Sequence, residues 1–493
     1  MNIKFGTSGW RAVFAEDFTF LNVRRLSHAI AGHVKEHPEF GVHSADYRES
    51  AKTVPPGPPI VVLGYDPRFA GEEFAREAAE VFAADGIRVV FSDSDVPTPA
   101  VAWAILQHKA VGGAVITASH NPARYNGYKW TPYWAGPATP AVTDDIERRV
   151  ALLGNVSVPV MHADRAEREG WIKREDFRTA YFKQLASLLD GKRIRSARLK
   201  VGVDVMHGAA RRYLRPLLES LGAEVHALHE ERDVLFGGAS TEPTPERLVE
   251  LAALMKKKGL ALGLACDGDA DRFGILDAGG IWIPANDVIA LTLDHLARNR
   301  GLRGKVARSL MTSHFVDAVA KSHGLEIRET PVGFKYIGEL LRGGQFLFGG
   351  EESGGLSIRG HVPEKDGILA CLLMVELAAY DRKPLAKIRE QLRKKLGAFY
   401  SQRLNFHLDS PRRVLALQEQ LELKPPLSLA GASVWRIDQT DGFKFILKDG
   451  SWLGLRPSGT EPVVRLYTEA TSAQKMDQLV KAGEAILKGR NRA

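Results

Sequence analysis

Residues 260–272 read LALGLACDGDADR, a short apolar run that ends in a polar loop with three aspartates. The residues before it predict a helix over Pro245–Lys258, followed by Gly259. A helix that leads into a buried strand and then into a polar loop is typical of α/β proteins with mainly parallel strands. This stretch therefore predicts an α/β fold with a ligand loop at a strand end.

The same order of elements recurs on both sides of this stretch. Predicted strands alternate with helices at Ile60–Gly64, Val89–Phe91, Ala114–Thr117, Leu199–Val205, Val306–Met311 and Phe346–Phe348, with helices that include Ala209–Leu221 and Lys365–Tyr380. After Gly397 the pattern is α+β, with a strand Leu404–Leu408, a helix Pro411–Leu421 and a final helix Ala473–Leu487. We expect three similar mixed α/β domains (1–196, 197–284 and 285–396) and a smaller C-terminal α+β domain (397–493) around a central cleft.

Composition excludes several other classes of protein. The 493 residues are 44 % apolar and 26 % charged, which is ordinary for a folded protein. The net charge is 67 − 59 = +8, but no run of five Lys or Arg occurs, so we expect no nucleic-acid partner. Two cysteines, Cys266 and Cys371, indicate a reducing compartment. We find no apolar leader, and the apolar stretch Ile368–Tyr380 contains Glu376 and is too short to span a bilayer, so a cytoplasmic protein without a membrane partner is expected.

The three aspartates, Asp267, Asp269 and Asp271, predict a divalent metal site. Carboxylates at alternate positions repel one another unless a cation lies between them, and oxygen ligands suit Mg²⁺ or Ca²⁺. An EF-hand is excluded because its sixth and twelfth positions are Arg272 and Ala278 here. We favour Mg²⁺ over the alternative, a solvated acidic turn.

Three further loops carry polar groups after predicted strands. Thr117–Pro122 places Ser119 and His120 beyond a strand, either as an exposed nucleophile or as a plain turn. Gly349–Gly355 is a glycine-rich loop with two glutamates, and it is no nucleotide P-loop because Leu356 stands where lysine is needed. Arg456–Pro462 offers a guanidinium, two hydroxyls and Gly459 to an anion. Together with the metal loop, these features predict phosphoryl transfer in a cleft where the domains meet.

These four motifs, in this order, resemble those of the α-D-phosphohexomutase family, which includes phosphoglucomutases and phosphomannomutases. The opening Phe5–Arg11 also resembles the N-terminal signature of that family. The resemblance implies a mutase with a phosphorylated Ser119 and with Mg²⁺ held by Ser119, Asp267, Asp269 and Asp271. It also implies sugar contacts from Glu351 and Ser353, a grip on the idle phosphate by Arg456, Ser458, Gly459 and Thr460, and transferring-group or substrate contacts from Arg11, His120, Lys129, Arg272 and Lys335. His120 and Lys129 are the candidate acid and base, and Arg11 is a charge stabiliser.

The third loop points to a substrate. Its Gly-Glu-Glu-Ser form, with Glu352, resembles the phosphoglucomutase branch, whereas a histidine common in other branches is replaced by Gly355. We therefore expect interconversion of glucose 1-phosphate and glucose 6-phosphate through glucose 1,6-bisphosphate. Mannose phosphates, a bifunctional mutase, a glucose 1,6-bisphosphate synthase and a silent sugar-phosphate binding protein are the alternatives. Hexose phosphates are the expected partners, and the chain is expected to be a monomer or homodimer.

Overall fold

The computed structural model describes residues 3–6, 9–36, 57–154, 156–457 and 462–489. Within these residues the strands form four sheets, each with helices packed against it. The expected fold class, three mixed α/β units followed by an α+β unit, is confirmed. The elements of each unit are given below because their ends position the candidate site.

The first unit is a six-stranded sheet in the order β1-β5-β4-β2-β3-β6. Strands β2, β3, β4 and β6 run parallel, and β5 and β1 are antiparallel additions at one edge. The strands are β1 Trp10–Val13, β2 Ile60–Tyr65, β3 Arg88–Ser92, β4 Gly112–Ile116, β5 Tyr125–Pro132 and β6 Ile172–Glu175. The helices are α1 Phe20–Glu36, α2 Gly71–Ala84, α3 Thr98–His108, α4 Pro140–Leu153 and α5 Ala163–Arg168.

The second unit is a five-stranded sheet in the order β11-β10-β9-β7-β8. Its strands are β7 Lys200–Asp204, β8 Glu224–Leu228, β9 Leu262–Cys266, β10 Phe273–Asp277 and β11 Ile281–Ile283. Its helices, with those that lead into it, are α6 Arg178–Leu188, α7 Gly191–Ala197, α8 Leu214–Ser220 and α9 Val249–Lys258. The aspartate loop joins β9 to β10, which are antiparallel.

The third unit is a four-stranded sheet in the order β13-β12-β14-β15. Its strands are β12 Lys305–Ser309, β13 Ile327–Thr330, β14 Phe346–Glu351 and β15 Gly355–Ile358. Its helices are α10 Ala285–Arg298, α11 Phe315–Ser322, α12 Phe334–Arg342, α13 Gly367–Asp381 and α14 Leu385–Leu396. Helix α13 begins at a side-chain cap, because the Asp366 carboxylate accepts the Leu369 N–H at 2.8 Å.

The fourth unit is an antiparallel sheet in the order β16-β21-β20-β19-β18-β17, covered on one face by two helices. The strands are β16 Tyr400–His407, β17 Ser428–Leu429, β18 Ala432–Asp438, β19 Phe443–Leu447, β20 Trp452–Pro457 and β21 Val463–Ala470. The helices are α15 Pro411–Leu423 and α16 Ala473–Leu487. Strand residues alternate between an apolar face against the helices and a polar face.

The hydrophobic core is not divided equally among the units. One continuous cluster of buried side chains runs from Val62 in the first sheet to Ile388 in α14 and includes residues of the first three units. The fourth unit has a separate core, and a small cluster with Met311 and Trp452 joins it to the third. In the described part of the chain no helix has the length and apolar character needed to cross a membrane.

Several predicted elements have other bounds in the structure. Helix α9 begins at Val249 rather than at Pro245. The helix predicted over Ala209–Leu221 is split into a short 3₁₀ turn, Ala209–Arg212, and α8, because Tyr213 between them has non-helical backbone angles, φ −121° and ψ −55°. Strand β14 continues past Phe348, since Gly349, Gly350 and Glu351 pair with β15.

Candidate active site

The aspartate loop lies where the first three units meet. Backbone N–H groups of Thr98, Ala209 and Gly367 donate to the carbonyls of Asp269, Gly268 and Ala270, at 2.9, 2.9 and 3.0 Å. The approach is close, because a Cβ at Gly268 would lie 2.6 Å from the Ser119 carbonyl oxygen. Glycine at position 268 thus allows the aspartate loop to lie close to the serine loop of the first unit.

Ser119 is held against this loop in an unusual backbone conformation. Its φ is 53°, a left-handed value that non-glycine residues rarely adopt. Its Oγ donates to Asp267 Oδ2 at 2.9 Å and lies 3.4 Å from Nδ1 of His120. The hydroxyl predicted to be the nucleophile therefore contacts the predicted metal site.

An ion pair that sequence reasoning missed positions the serine loop. Asp66 and Arg68 are fully buried and paired, and Arg68 Nη2 donates to the Ser119 carbonyl at 2.9 Å. Asp66 also accepts a hydrogen bond from Thr117 Oγ1 at 2.5 Å. Asp66 could have been identified from its position in the sequence, because it directly follows strand β2.

The three aspartates fit a divalent cation. All are buried, and each offers a carboxylate oxygen within 4.8 Å of the others. Asp269 Oδ1 and Asp271 Oδ1 have no hydrogen-bond partner although both are buried. Burial, with the charges of Asp269 and Asp271, raises the pKa of Asp267 well above its usual value. A bound cation would satisfy these oxygens and remove that penalty.

Lys129 is a fixed positive charge beside the aspartates. Its Nζ donates to Asp269 Oδ2 at 2.5 Å and to Asp271 Oδ2 at 2.8 Å. Burial lowers the pKa of Lys129, but these carboxylates outweigh burial and raise it above the usual value. Lys129 is therefore a positive charge beside the aspartates, and its role as acid or base stays a prediction.

His120 and Arg11 lie at the other side of Ser119. Arg11 Nη1 donates to Asn121 Oδ1 at 2.6 Å, and burial lowers the pKa of Arg11. Burial, together with the charges of Arg272 and Arg11, lowers the pKa of His120 well below its usual value. His120 is thus a neutral imidazole that can accept a proton.

The two glutamates of the third loop have different surroundings. Ser353 Oγ donates to Glu351 Oε1 at 2.7 Å, whereas the buried Glu351 Oε2 has no partner. Burial raises the pKa of Glu351. Glu352 is instead held by Ser309 Oγ, at 2.7 Å from its Oε2. Glu351 thus has a buried oxygen without a hydrogen-bond partner, and Glu352 lines the cleft described next.

A cleft of about 420 Å³ adjoins these groups. Its lining comes from the second, third and fourth units and includes Arg272, Glu352, Ser353, Arg403 and Tyr467. This volume is within the range of small-ligand sites. No residue of the first unit is among its lining residues, so this cleft joins three of the four units expected around the site.

Comparisons with known proteins identify the family. Descriptions of phosphoglucomutase/phosphomannomutase α/β/α domains I, II and III match residues 2–155, 179–280 and 284–396, and that of the C-terminal domain matches residues 404–484. The chain belongs to the phosphoglucomutase/phosphomannomutase family. It is therefore an enzyme of the phosphohexomutase class, as expected from the four motifs.

Individual relatives of this phosphohexomutase have mixed names. A phosphoglucomutase/phosphomannomutase of Thermococcus kodakarensis is 31 % identical over 430 residues, covering 87 % of this chain and 90 % of its own. A phosphoglucomutase of Komagataeibacter xylinus is 30 % identical over 505 residues, covering 95 % and 87 %. A crystal structure described as a phosphomannomutase from Thermus thermophilus superposes with a TM-score of 0.83 at 30 % identity, covering 99 % and 100 %.

Lys365 is a residue of the phosphohexomutase site that sequence reasoning missed. Its Nζ lies 3.2 Å from Asp271 Oδ2 and 3.7 Å from Glu364 Oε1. Burial lowers its pKa, but Asp271, Glu364 and Glu351 outweigh burial and raise it. Lys365 was hard to identify from the sequence, because it precedes helix α13 and does not directly follow a strand.

The remaining predicted residues are only partly brought together. Arg456 lies inside β20 and donates to Asp441 Oδ1 at 2.9 Å. Lys335, in the first turn of α12, lies 5.1 Å from the centroid of the Tyr336 ring and forms no hydrogen bond with a described residue. Arg272 donates from Nη1 to Glu242 Oε1 at 3.1 Å. Ser458, Gly459 and Thr460 lie outside the described residues.

Proposed function

We propose that this enzyme interconverts hexose 1-phosphate and hexose 6-phosphate, with glucose preferred, through phosphorylated Ser119 and a sugar 1,6-bisphosphate. The observation that carries the proposal is the contact between Ser119 Oγ and Asp267 of the buried aspartate cluster. A serine beside such a cluster is suited to carry a phosphoryl group next to a cation. A plain turn would not need three buried carboxylates at its hydroxyl.

We assign Mg²⁺ to Asp267, Asp269, Asp271 and the phosphorylated Ser119. The orphaned oxygens of Asp269 and Asp271 support this assignment. When bound, the cation supplies positive charge next to the serine oxygen that leaves the phosphorus. A hard cation with all-oxygen ligands agrees with the donor set.

The chain's own residues carry the rest of the transfer. Lys129, Arg11 and Arg272 surround the transferring phosphoryl group with positive charge, which is the main catalytic need of this reaction. The bond from phosphorus to Ser119 Oγ breaks, and a bond to a sugar hydroxyl oxygen forms. We assign the hydroxyl proton to His120, because its low pKa keeps the imidazole neutral beside Ser119.

The bisphosphate then turns around and returns its other phosphate to Ser119. This step requires a second phosphate site, which we assign to Arg456, Ser458, Gly459 and Thr460. We assign Glu351, Ser353 and Lys335 to the sugar, and the free Glu351 Oε2 supports a hydroxyl contact. The Gly-Glu-Glu-Ser sequence supports glucose, whereas relatives named for both sugars make mannose phosphates the second candidate.

The Ser119→Ala variant tests this function. We expect turnover of glucose 1-phosphate to be lost while binding remains measurable, because only the phosphoryl carrier is removed. Ser187→Ala, at an exposed hydroxyl in α6, is the matched control and should keep full activity. Near-normal turnover by Ser119→Ala would refute the nucleophile assignment. Intact mass should also show one phosphoryl group on the parent protein and none on the variant.

A comparison of substrates tests the sugar preference separately. The parent enzyme is assayed with glucose, mannose and glucosamine 1-phosphates at equal concentration. We expect the highest kcat/KM for glucose 1-phosphate. A higher value for mannose 1-phosphate would reverse the preference and leave the mutase reaction standing.

A further inference from the structure

A buried histidine and a buried tyrosine share one carboxylate at the start of helix α13. His361 Nε2 lies 2.7 Å from Asp366 Oδ2, and the Tyr181 hydroxyl donates to the same oxygen at 2.6 Å. Because a carboxylate only accepts hydrogen bonds, His361 Nε2 carries the proton in this contact. The side chains of His361 and Asp366 are inaccessible to solvent, and Tyr181 is fully buried. This buried group plays no part in the chemistry assigned above.

Both donors are held by packing and have Asp366 as their polar partner. His361 Nδ1 is buried without a hydrogen-bond partner, so Nε2 makes the one hydrogen bond of this ring with a described residue. The ring stacks on Trp103 of α3 at 6.5 Å between centroids and lies 6.3 Å from the ring of Tyr181 in α6. Burial, with the charge of Asp366, raises the pKa of Tyr181 well above its usual value, so its hydroxyl remains a donor.

Asp366 connects these donors to the backbone of α13. Its other carboxylate oxygen, Oδ1, accepts the Leu369 N–H at 2.8 Å, and its own N–H donates to the Leu356 carbonyl on β15 at 3.0 Å. A side-chain cap of this kind fixes the backbone at the first turn of a helix. The positions of the two neighbours of Asp366, Lys365 and Gly367, therefore depend on where its carboxylate is held.

These two neighbours contact the aspartate loop. The Gly367 N–H donates to the Ala270 carbonyl at 3.0 Å. A Cβ at Gly367 would lie 2.2 Å from the Arg272 carbonyl oxygen, so the two backbones are in direct contact. On the other side of Asp366, Lys365 Nζ lies 3.2 Å from Asp271 Oδ2. A shift at the start of α13 would therefore move this ammonium group away from Asp271.

We propose that His361 and Tyr181 are positioning residues that act on phosphoryl transfer through Asp366. By fixing the start of α13, they keep the Lys365 ammonium group against Asp271. The proposal rests on the proposed function, because it places that ammonium group beside the transferring phosphoryl group. Neither His361 nor Tyr181 lines the cleft, so binding of a hexose phosphate should not depend on them. Displacement of a catalytic group by about 1 Å can lower turnover on the order of a hundredfold.

Two amide substitutions at position 361 separate the hydrogen bond from the ring. The amide nitrogen of glutamine can reach the position of His361 Nε2, whereas the shorter asparagine cannot reach Asp366. Steady-state kinetics are measured with glucose 1-phosphate. We expect His361→Asn to lower kcat about tenfold or more with little change in KM. His361→Gln should recover most of the lost kcat.

Tyr181→Phe tests the second donor, because it keeps the ring and removes only the hydroxyl. We expect a lower kcat and an unchanged KM, and this variant decides the proposal if His361→Asn does not fold. The matched control is His323→Asn, which breaks a comparable hydrogen bond, 2.8 Å from Nε2 to Asp294 Oδ1, elsewhere in the third unit. This control should keep the kcat of the parent. An unchanged kcat in His361→Asn, or in Tyr181→Phe, would overturn the proposal.

The Lys365→Ala background distinguishes positioning from a general loss of structure. If His361 and Tyr181 act by placing the lysine, their substitution should cost little further kcat once the lysine is absent. A structural role would lower kcat by the same factor in both backgrounds, and this result would overturn the proposal. Failure of His361→Gln to recover kcat would also overturn it.

Hydrogen exchange keeps this proposal separate from the proposed function. If the parent does not turn over glucose 1-phosphate, the proposed function fails, and exchange of the Gly367 and Leu369 N–H groups decides whether His361 fixes α13. Faster exchange in His361→Asn, with exchange like that of the parent in His361→Gln, would support this restraint. Exchange like that of the parent in both variants would overturn it.

Discussion

At the scale of residues, Lys365 and Gly355 share one space. A Cβ at Gly355 would lie 2.2 Å from Lys365 Cδ and 2.6 Å from its Cγ. The lysine stem therefore fills the volume of the side chain that position 355 lacks. In this position the ammonium group of Lys365, ten positions further along the chain, reaches Asp271.

We predict that Gly355→His and Lys365→Ala each lower kcat at least tenfold. The first change expels the Lys365 side chain, and the second removes its charge from Asp271 and Glu351. The double variant should lose less than the product of the two losses, because the new imidazole then has room. Steady-state kinetics of all four proteins measures this coupling, with Lys383→Ala as an exposed control. Strictly multiplicative losses would contradict the shared volume.

Residues that follow predicted strands were the easiest to find from the sequence. Ser119 and the three aspartates could be named because each lies directly beyond a buried apolar run. Lys365 could not, because its surroundings depend on which distant segments pack beside it. Its contacts with Asp271 and Gly355 are tertiary, and no local pattern encodes them.

At the scale of elements, the loop between β9 and β10 carries three buried carboxylates. We predict that Mg²⁺ raises the thermal midpoint of the protein, because a ligand of the native state alone stabilises it. The gain would be about 2.7 kcal/mol at a hundred times Kd. Asp269→Asn should show a much smaller shift, measured by differential scanning calorimetry, and Asp144→Asn at an exposed position should show the full shift. An identical shift in Asp269→Asn would exclude this loop as the cation site.

Element boundaries were predicted well where local signals are strong. Helix α16 spans Ala473–Leu487, as predicted, and Ser472 caps it by accepting the Lys475 N–H at 3.2 Å. The helix expected over Ala209–Leu221 was wrong as one element, because the backbone at Tyr213 is not helical. A helix cap depends on neighbouring residues and can be predicted from the sequence, whereas the interruption at Tyr213 could not be predicted in this way.

At the scale of the whole molecule, one lysine lies between the third and fourth units. Lys444 Nζ donates to the Leu310 carbonyl at 2.5 Å and lies 3.2 Å from His314 Nε2 and 4.2 Å from the centroid of the Trp452 ring. Burial, with the charge of Arg308, lowers the pKa of Lys444 to about 8, although Glu329 and Glu469 oppose the shift. This docking contact is therefore sensitive to pH.

We predict that Lys444 makes the parent protein relatively more stable as pH rises from 8 towards 10. Its folded pKa lies below the usual value near 10.5, so the unfolded chain binds more protons in this window. The stabilising contribution is full above the usual pKa and is lost as pH falls through about 8. The thermal midpoint of the parent minus that of Lys444→Met should therefore increase over this range. Lys448→Met, an exposed neighbour, should give a flat difference, and a flat difference for Lys444→Met would contradict the prediction.

The number of units was predictable from the alternation of strands and helices, but their packing was not. Local patterns do not indicate that one core cluster extends through the first three units while the fourth unit has a separate core. That division depends on packing between segments far apart in the chain, since the shared cluster has members from Val62 to Ile388. The four domain ranges and the assigned roles of the site residues stay predictions.

The hydrogen bonds from Thr98, Ala209 and Gly367 to the aspartate loop have a consequence for biogenesis. Since three separately coded segments must dock before the loop takes its shape, a partly assembled chain lacks a competent cation site. If the loop binds a cation as proposed, we expect the cation to be captured only after these segments of the first three units have docked. Incomplete folding products would be inert rather than able to release phosphate from sugars wastefully.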